Sequence, residues 1–504
     1  MLEKIQSVAV LGLNSELVEV ESGVSAELPG FVIVGLPDMA VSEAKERVKF
    51  AIKNSSLIFP RRKVTVNMAP ADIRKEGSGY DLAIAISLLK TTDQLIGDFS
   101  DSLFIGELAL DGSVRPTMGI LPSTIFAKEK GFKNIYIPVA NASEAALIKG
   151  VNIYPVSNLL QLVNHLNDIN RIEIHEPRKI SIKTTTYDVD MSHIKGQSHV
   201  KRALEIAAAG AHNILMSGPP GSGKTLLART LPTILPPLSP QEIVEVTKIY
   251  SVAGLLPKDN PVIQTRPFRT PHHTSSGVSL VGGGKFPKPG EISLAHRGVL
   301  FLDEFSEFPR AVLENLRQPL EDGVISISRV QGTVAYPAKF TLVASQNPCP
   351  CGYASDPEQT CVCTPSQLIK YQKKVSGPII DRIDLHVEVP RIDFDKIYSE
   401  EQSESSTDIR NRVVEANAIQ AKRFETYNIN YNSEMTPQIL EKHCPLDRKG
   451  TEILRNATRQ LHLSARSFHR IIKLARTIAD LDKHENIQAR HIAEALQYRP
   501  KRFL

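Results

Sequence analysis

Apolar residues recur along this chain in short runs of two kinds. β-Branched runs such as residues 32–34 (VIV) and 64–66 (VTV) read as strands, while residues 41–54 and 82–90 carry helical spacing. Their alternation predicts an α/β or α+β domain over residues 1–170. A polar, extended stretch with three consecutive threonines follows and reads as a linker over 171–190. Next come compact apolar runs that each end in polar residues: 213–217 (NILMS), 299–302 (VLFL) and 343–345 (VAS). Continuous runs of this length suit the buried strands of a parallel sheet, which places an α/β core at 191–398. Residues 325–334 (ISISRVQGTV) alternate about a central glycine and predict a β-hairpin. After an apolar-free loop near residue 400 the pattern turns helical. Ile471, Ile472, Leu474, Ala475 and Ile478 mark one face of a small helical lid at 399–504.

The polar ends of those strands carry the chemistry. NILMS runs into GPPGSGKT, which fits the P-loop pattern without a mismatch: Gly218, Pro219, Pro220, Gly221, Ser222, Gly223, Lys224 and Thr225. Glycines let successive N–H groups face phosphates at a helix N-terminus. Lys224 then reaches the β- and γ-phosphates, and the Thr225 hydroxyl suits Mg²⁺. The alternative is a chance glycine-rich turn, and the next motif counts against it. VLFL ends in Asp303 and Glu304, a Walker B arrangement in which Asp303 serves Mg²⁺ and Glu304 orients or deprotonates water. Together the two motifs indicate hydrolysis of ATP.

Length and composition bound the rest. A chain of 504 residues exceeds one ordinary core, and 41% hydrophobic with 23% charged residues excludes a mostly disordered protein. The net charge of +5 does not by itself indicate nucleic acid. From Pro445 onward, however, 13 Lys and Arg face 6 Asp and Glu, a basic segment that suits either an acidic polymer or a solvated helical face. No apolar run reaches bilayer length and the start lacks a signal-peptide core, so a cytoplasmic protein with no membrane partner is expected. Cys349, Cys351, Cys361 and Cys363 fall within fifteen residues. Two pairs could converge as a Cys₄ zinc site, but the C-x-C spacing leaves free reduced thiols open.

Five longer runs narrow the identification: FRTPHHTSSGVSLVGGG from Phe268, PGEISLAHRGVLFLDEF from Pro289, SQNPCPCGY from Ser345, SGPIIDRIDLHVEVP from Ser376 and LSARSFHRIIKLARTIADL from Leu463. In these the chain resembles the ComM (YifB) subfamily of magnesium-chelatase-like AAA+ proteins over essentially its full length. The resemblance implies an AAA+ P-loop core, a helical lid of magnesium-chelatase C-terminal type, and a ring of subunits, a hexamer. It implies a DNA motor, a branch-migration helicase acting in homologous recombination during natural transformation. Asn347 resembles sensor 1 and Arg382 the arginine finger of a neighbouring site, with an internal pair to Asp381 or Asp384 as the plain alternative. Arg466 matches sensor 2, although Arg470 and Arg476 follow on the same helix. Residues 268–289, with Lys285 and Lys288, resemble an insert of helicase relatives. Arg329 near the hairpin tip corresponds to a DNA contact, and the paired histidines His272 and His273 read as ordinary loop residues.

The first domain resembles the Lon-protease C-terminal domain, a ribosomal-protein-S5-like fold, through KEGSGYD at 75–81 and the segments at 106–108 and 118–120. Gly79 and Leu121 stand where that family has its nucleophile and lysine. A non-proteolytic module is therefore expected. A protein remodeller or chelatase-like ATPase remains the competing reading, since such motors are reused on unrelated substrates.

Overall fold

The computed structural model describes residues 4–176, 187–284, 287–329, 332–354, 356, 358–391, 403–461 and 463–500. The N-terminal part is built on a seven-stranded mixed sheet. Its order is Gly30–Val34, Lys63–Ala69, Asn14–Ser25, Lys4–Leu11, Ser102–Phe104, Asn134–Pro138 and Asn152–Val156. Asn14–Ser25 runs antiparallel to both its neighbours, and every other pairing is parallel. Helix Asp81–Thr91 is apolar nearly all round because it is covered on one side by this sheet and on another by helix Met39–Asn54. Asp81 is its buried charge, and Arg47 meets it at 2.6 Å. Burial nevertheless pushes its carboxyl up to about 6, against the pull of Arg47.

In the segment that resembles the Lon nucleophile, Ser78 Oγ donates to the Glu107 carboxylate. Lys75 is fully buried and its amine donates to the Pro70 carbonyl. Leu121 lies in the apolar interior. Thus the lysine of this segment is tied to backbone and does not activate the serine.

The second part is a five-stranded, all-parallel sheet in the order Phe268–Arg269, Val299–Leu302, Thr341–Gln346, Ile214–Ser217 and Leu385–Glu388. Val299–Leu302 is buried at every residue, as its unbroken apolar run requires. Parallel strands bring their C-terminal ends to one edge, where ligands of open α/β sheets bind. Residues far apart in sequence therefore meet there.

The helical part, led by Ser406–Arg423, Arg448–Leu461, Ala465–Leu481 and Ala489–Gln497, shares one apolar cluster with the core. Leu474 and Ile478 of the lid and Leu231 of the P-loop helix belong to it. Two antiparallel ribbons belong to the α/β core: Gly282–Gly283 with Lys288–Pro289, and Val324–Arg329 with Gly332–Pro337. Leu13, in the first turn of the N-terminal sheet, packs against the core cluster that holds Ile325 and Ile327 of the second ribbon. Among the described residues no helix is long and apolar enough to cross a membrane.

Candidate functional site

Strand Ile214–Ser217 delivers the chain to Gly218, whose N–H donates to Gln346 O at 3.2 Å. A Cβ on Gly218 would lie 2.1 Å from Val389 O, so only glycine permits this approach. Gly223 (φ +83°) then caps helix Lys224–Ile234, whose first turn aims its free N–H groups at the loop. Lys224 Nζ donates to the carbonyls of Gly218 and Pro219, each at 2.8 Å, and lies 3.4 Å from Asn347 Oδ1. Burial pushes the lysine pKa down while Asp303 opposes that shift.

Thr225 Oγ1 donates to Asp303 Oδ2 at 2.9 Å. The other carboxylate oxygen of Asp303 accepts from Ser345 Oγ and from the Glu304 N–H. Ser345 had no sequence signal of its own. It is found by strand periodicity, two residues before Asn347 on the neighbouring strand. The structure thus places Lys224, Thr225, Asp303, Glu304 and Asn347 at one edge of the sheet.

Glu304 adopts a left-handed backbone conformation (φ 52°, ψ 46°), which costs a non-glycine residue about 1 kcal/mol. Its carboxylate is 57% exposed and meets His273 Nδ1 at 2.9 Å. The histidine read from sequence as an ordinary loop residue is therefore part of this site. The His272 ring lies tilted against it, with ring centroids 4.1 Å apart.

Arg382 and Arg466 lie elsewhere. Glu321 accepts from both, at 2.6 Å from Arg382 Nη2 and 2.8 Å from Arg466 Nη1. The two arginines, hydrogen-bonded to it, hold its carboxyl below the usual range. Arg382 pairs with Glu321, whereas the plain alternative named Asp381 or Asp384; Asp384 instead binds the Asn213 N–H at 3.1 Å. These groups line a cleft of about 530 Å³ between core and lid, and none of residues 218–225 lines it. The neighbouring arginines are committed to the fold: Arg470 donates to Ile383 O at 2.9 Å, and Arg476 binds Asp480 at 2.9 Å and is almost fully buried. Arg466 and Arg470 both line the cleft, but Arg466 is 46% exposed and meets a carboxylate, whereas Arg470 is tied to backbone carbonyls.

Cys349, Cys351, Cys361 and Cys363 present sulfurs all within 4.8 Å of one another. Three Sγ–Sγ separations are 3.3, 3.7 and 3.5 Å. A tetrahedral Cys₄ zinc site with bonds of about 2.3 Å sets its sulfurs roughly 3.8 Å apart, so the donor set can hold a metal ion of that size. A backbone N–H at Tyr353 leads the influences that bring the Cys351 thiol down to about 6. The loop also touches the P-loop: a Cβ on Gly352 (φ +90°) would lie 2.6 Å from Pro220 Cδ. Of the basic residues assigned to DNA, Lys288 is exposed on the first ribbon, Lys285 lies outside the described residues, and Arg329 closes the second ribbon through its backbone pair with Gly332. The Arg329 side chain lies outside the described set.

Comparison with known proteins agrees with this architecture. Three family models match in series: subunit ChlI of magnesium chelatase at residues 20–141, "Magnesium chelatase, subunit ChlI" at 190–397, and its C-terminal region at 403–499. Competence protein ComM of Haemophilus influenzae is 42% identical over 503 residues, covering 98% of this chain and 97% of that protein. The uncharacterized protein YifB of Escherichia coli is 40% identical over 501 residues, covering 99% and 97%. The magnesium-chelatase 38 kDa subunit of Rhodobacter capsulatus is 28% identical over 249 residues, 45% of this chain and 67% of the subunit. A P-loop and acidic strand end meeting on a parallel sheet, a fused helical lid, and near-full-length identity to these relatives together show that the chain belongs to the magnesium-chelatase-like AAA+ family, in its ComM/YifB branch.

Proposed function

We propose that this protein is an ATP-driven ring motor that moves DNA, a branch-migration helicase serving homologous recombination during uptake of DNA in natural transformation. The observation that carries the reading is the division of the ATPase residues between two places. Lys224, Thr225, Asp303 and Asn347 form one group, with Glu304 beside them, while Arg382 and Arg466 face a separate cleft. A site that lacks its arginines within one chain is completed by the next chain in a ring, and a hexamer fits the family.

AAA+ membership implies ATP and Mg²⁺. The loop N–H groups and Lys224 hold the phosphates, Thr225 and Asp303 hold the magnesium ion, and that ion supplies positive charge at the β- and γ-phosphates when bound. Glu304 takes a proton from the attacking water, and Asn347 orients that water. Arg382 of one subunit stabilises charge on the phosphoryl group bound by its neighbour, and Arg466 couples lid position to the nucleotide. The four cysteines hold zinc and stiffen the turn after Asn347.

Support for DNA as the substrate comes from the competence relative, the basic helical part, the paired ribbons with Lys288 and Arg329, and Lys285 in the sequence nearby. The test compares ATPase stimulation by single-stranded, forked and four-way DNA with stimulation by unfolded protein. Preference for four-way DNA, with branch migration of that junction, supports the reading. Stimulation by unfolded protein alone transfers the function to protein remodelling.

A further inference from the structure

A two-stranded ribbon has little stability of its own and keeps its shape only where its apolar face is covered. In the ribbon Val324–Arg329 with Gly332–Pro337, Ile325, Ile327 and Tyr336 are buried and Val334 is half-buried. Part of their cover comes from the core itself. Leu280 and Val281 join the same apolar cluster, and a Cβ on Gly282 would lie 3.0 Å from Ile327 Cδ1. A further part comes from the N-terminal domain. Leu13 packs into this cluster and also against the cluster formed by Val246, Ile249 and Tyr250 of helix Pro240–Ala253. Among the described residues it joins neither apolar cluster of its own domain. Its side chain therefore serves the ATPase core and not the sheet that carries it.

The backbone beside Leu13 makes the same contact. Leu11 and Asn14 pair across a two-residue turn in which Gly12 has φ +63°, a conformation that tight hairpins require and glycine adopts freely. Glycine is needed here for a second reason, since a Cβ on Gly12 would lie 2.2 Å from Val334 Cγ1. The turn thus rests directly on the ribbon. Its position is fixed from behind by helix Pro240–Ala253. The Gly119 N–H donates to Ser251 O at 3.2 Å, and a Cβ on Gly254 would lie 2.6 Å from Met118 Sδ. Gly119 in turn abuts the strand that leads into the turn, with its Cβ position 2.9 Å from Val10 Cγ2. Leu13 is held between the helix and the ribbon by contacts on both sides.

We propose that the N-terminal domain is a brace for the second ribbon: the turn of Gly12 and Leu13 fixes the ribbon in one pose on the core, so that a polymer meets a preformed surface. A domain built like a protease then works in polymer binding. What the ribbon contacts rests on the proposed DNA reading, whereas the brace itself is tested without DNA.

Hydrogen exchange is measured on the full-length parent, Leu13→Ala and Leu13→Met. In Leu13→Ala the amides of residues 324–329 and 333–336 exchange about tenfold faster, while strands Lys63–Ala69 and Ile214–Ser217 keep the parent rates. Leu13→Met preserves volume and keeps the ribbon protected. Without DNA, kcat and KM for ATP stay within about twofold of the parent, because Leu13 touches no ATPase residue. Kd for a single-stranded oligonucleotide rises about threefold in Leu13→Ala, since a loosened ribbon has to be ordered on binding. A cross-link tests whether the contact is static. The Cβ position of Gly12 lies 3.5 Å from Val334 Cβ, inside the span of about 3.5–4.5 Å that a disulfide bridges. Gly12→Cys with Val334→Cys, closed with oxidised glutathione and compared with equally treated parent, keeps its DNA-stimulated ATPase. Unchanged ribbon exchange in Leu13→Ala overturns the proposal, as does loss of stimulation when the disulfide closes. A rise in exchange spread over both domains is general unfolding and also counts against it. A parent with no affinity for any DNA fails the DNA reading alone, and the exchange rates still decide the brace.

Discussion

Thr225 Oγ1 donates a 2.9 Å hydrogen bond to Asp303 Oδ2, joining the start of one helix to the end of a strand 78 residues later. Lys224, one residue earlier, turns instead toward loop carbonyls and Asn347. The two halves of the P-loop pair thus address different partners, one acidic and one neutral, which separates grip on phosphate from management of the metal.

Replacing those groups has different expected results. Lys224→Ala weakens ATP binding by about 3 kcal/mol, roughly two decades in Kd. Glu304→Gln keeps the affinity, while kcat falls about 10²- to 10⁴-fold because only the proton acceptor is lost. Titration with a fluorescent nucleotide, alongside single-turnover hydrolysis, separates them. Equal loss of affinity in both variants contradicts the role given to Glu304.

Arg382→Ala is expected to bind ATP normally and to lose about 10³-fold or more in kcat, the range of a missing arginine finger. Mixing supplies the decisive measurement. Rings containing Arg382→Ala and Lys224→Ala subunits regain activity where an intact P-loop faces an intact Arg382. Mixed rings with no recovered ATPase would assign Arg382 to its own chain, in keeping with its internal bond to Glu321.

The cysteine cluster is expected to hold about one zinc per chain in protein purified without chelator. Elemental analysis measures it, and the Cys361→Ser, Cys363→Ser double variant should lose the metal and melt at lower temperature. Gly352 abuts Pro220, so nucleotide affinity should weaken as well. A metal-free preparation with full ATPase activity would leave the four cysteines as reduced structural thiols.

Glu144 offers a pH-dependent test in the N-terminal domain. One oxygen accepts from Asn141 Nδ2 at 2.6 Å, and burial raises its carboxyl from 4.5 to about 7. The folded state holds that proton more tightly than the unfolded chain. Stability is therefore greatest below about pH 4.5 and declines toward pH 7, by about 3 kcal/mol at most. Glu144→Gln removes this decline, so its Tm advantage over the parent should grow with pH across that window. A constant difference from pH 4.5 to 8 would show that Glu144 does not titrate there.

The chain order alone determined the local chemistry. GPPGSGKT cannot serve as an ordinary turn once an apolar strand precedes it and a helix follows, and VLFLDE declares a buried strand with its acids at one end. Both signals are local, set by side-chain period and by glycine's freedom, so a reader of sequence reaches Lys224 and Asp303 unaided, whereas Asn347 came from the family resemblance. Contacts between distant segments have no such signature. Glu321 looked like any helical acid until the fold carried Arg382 and Arg466 to it, and His273 looked like a loop residue until the parallel sheet set the ends of two adjacent strands side by side. The same holds for the arginines of the lid helix. Period and charge are alike for Arg466, Arg470 and Arg476, and only packing buries two of them against backbone and Asp480 while leaving the first exposed beside Glu321. Residue type and spacing decide what a segment can do; which group it meets depends on strand order and on the apolar surfaces that choose their partners in three dimensions.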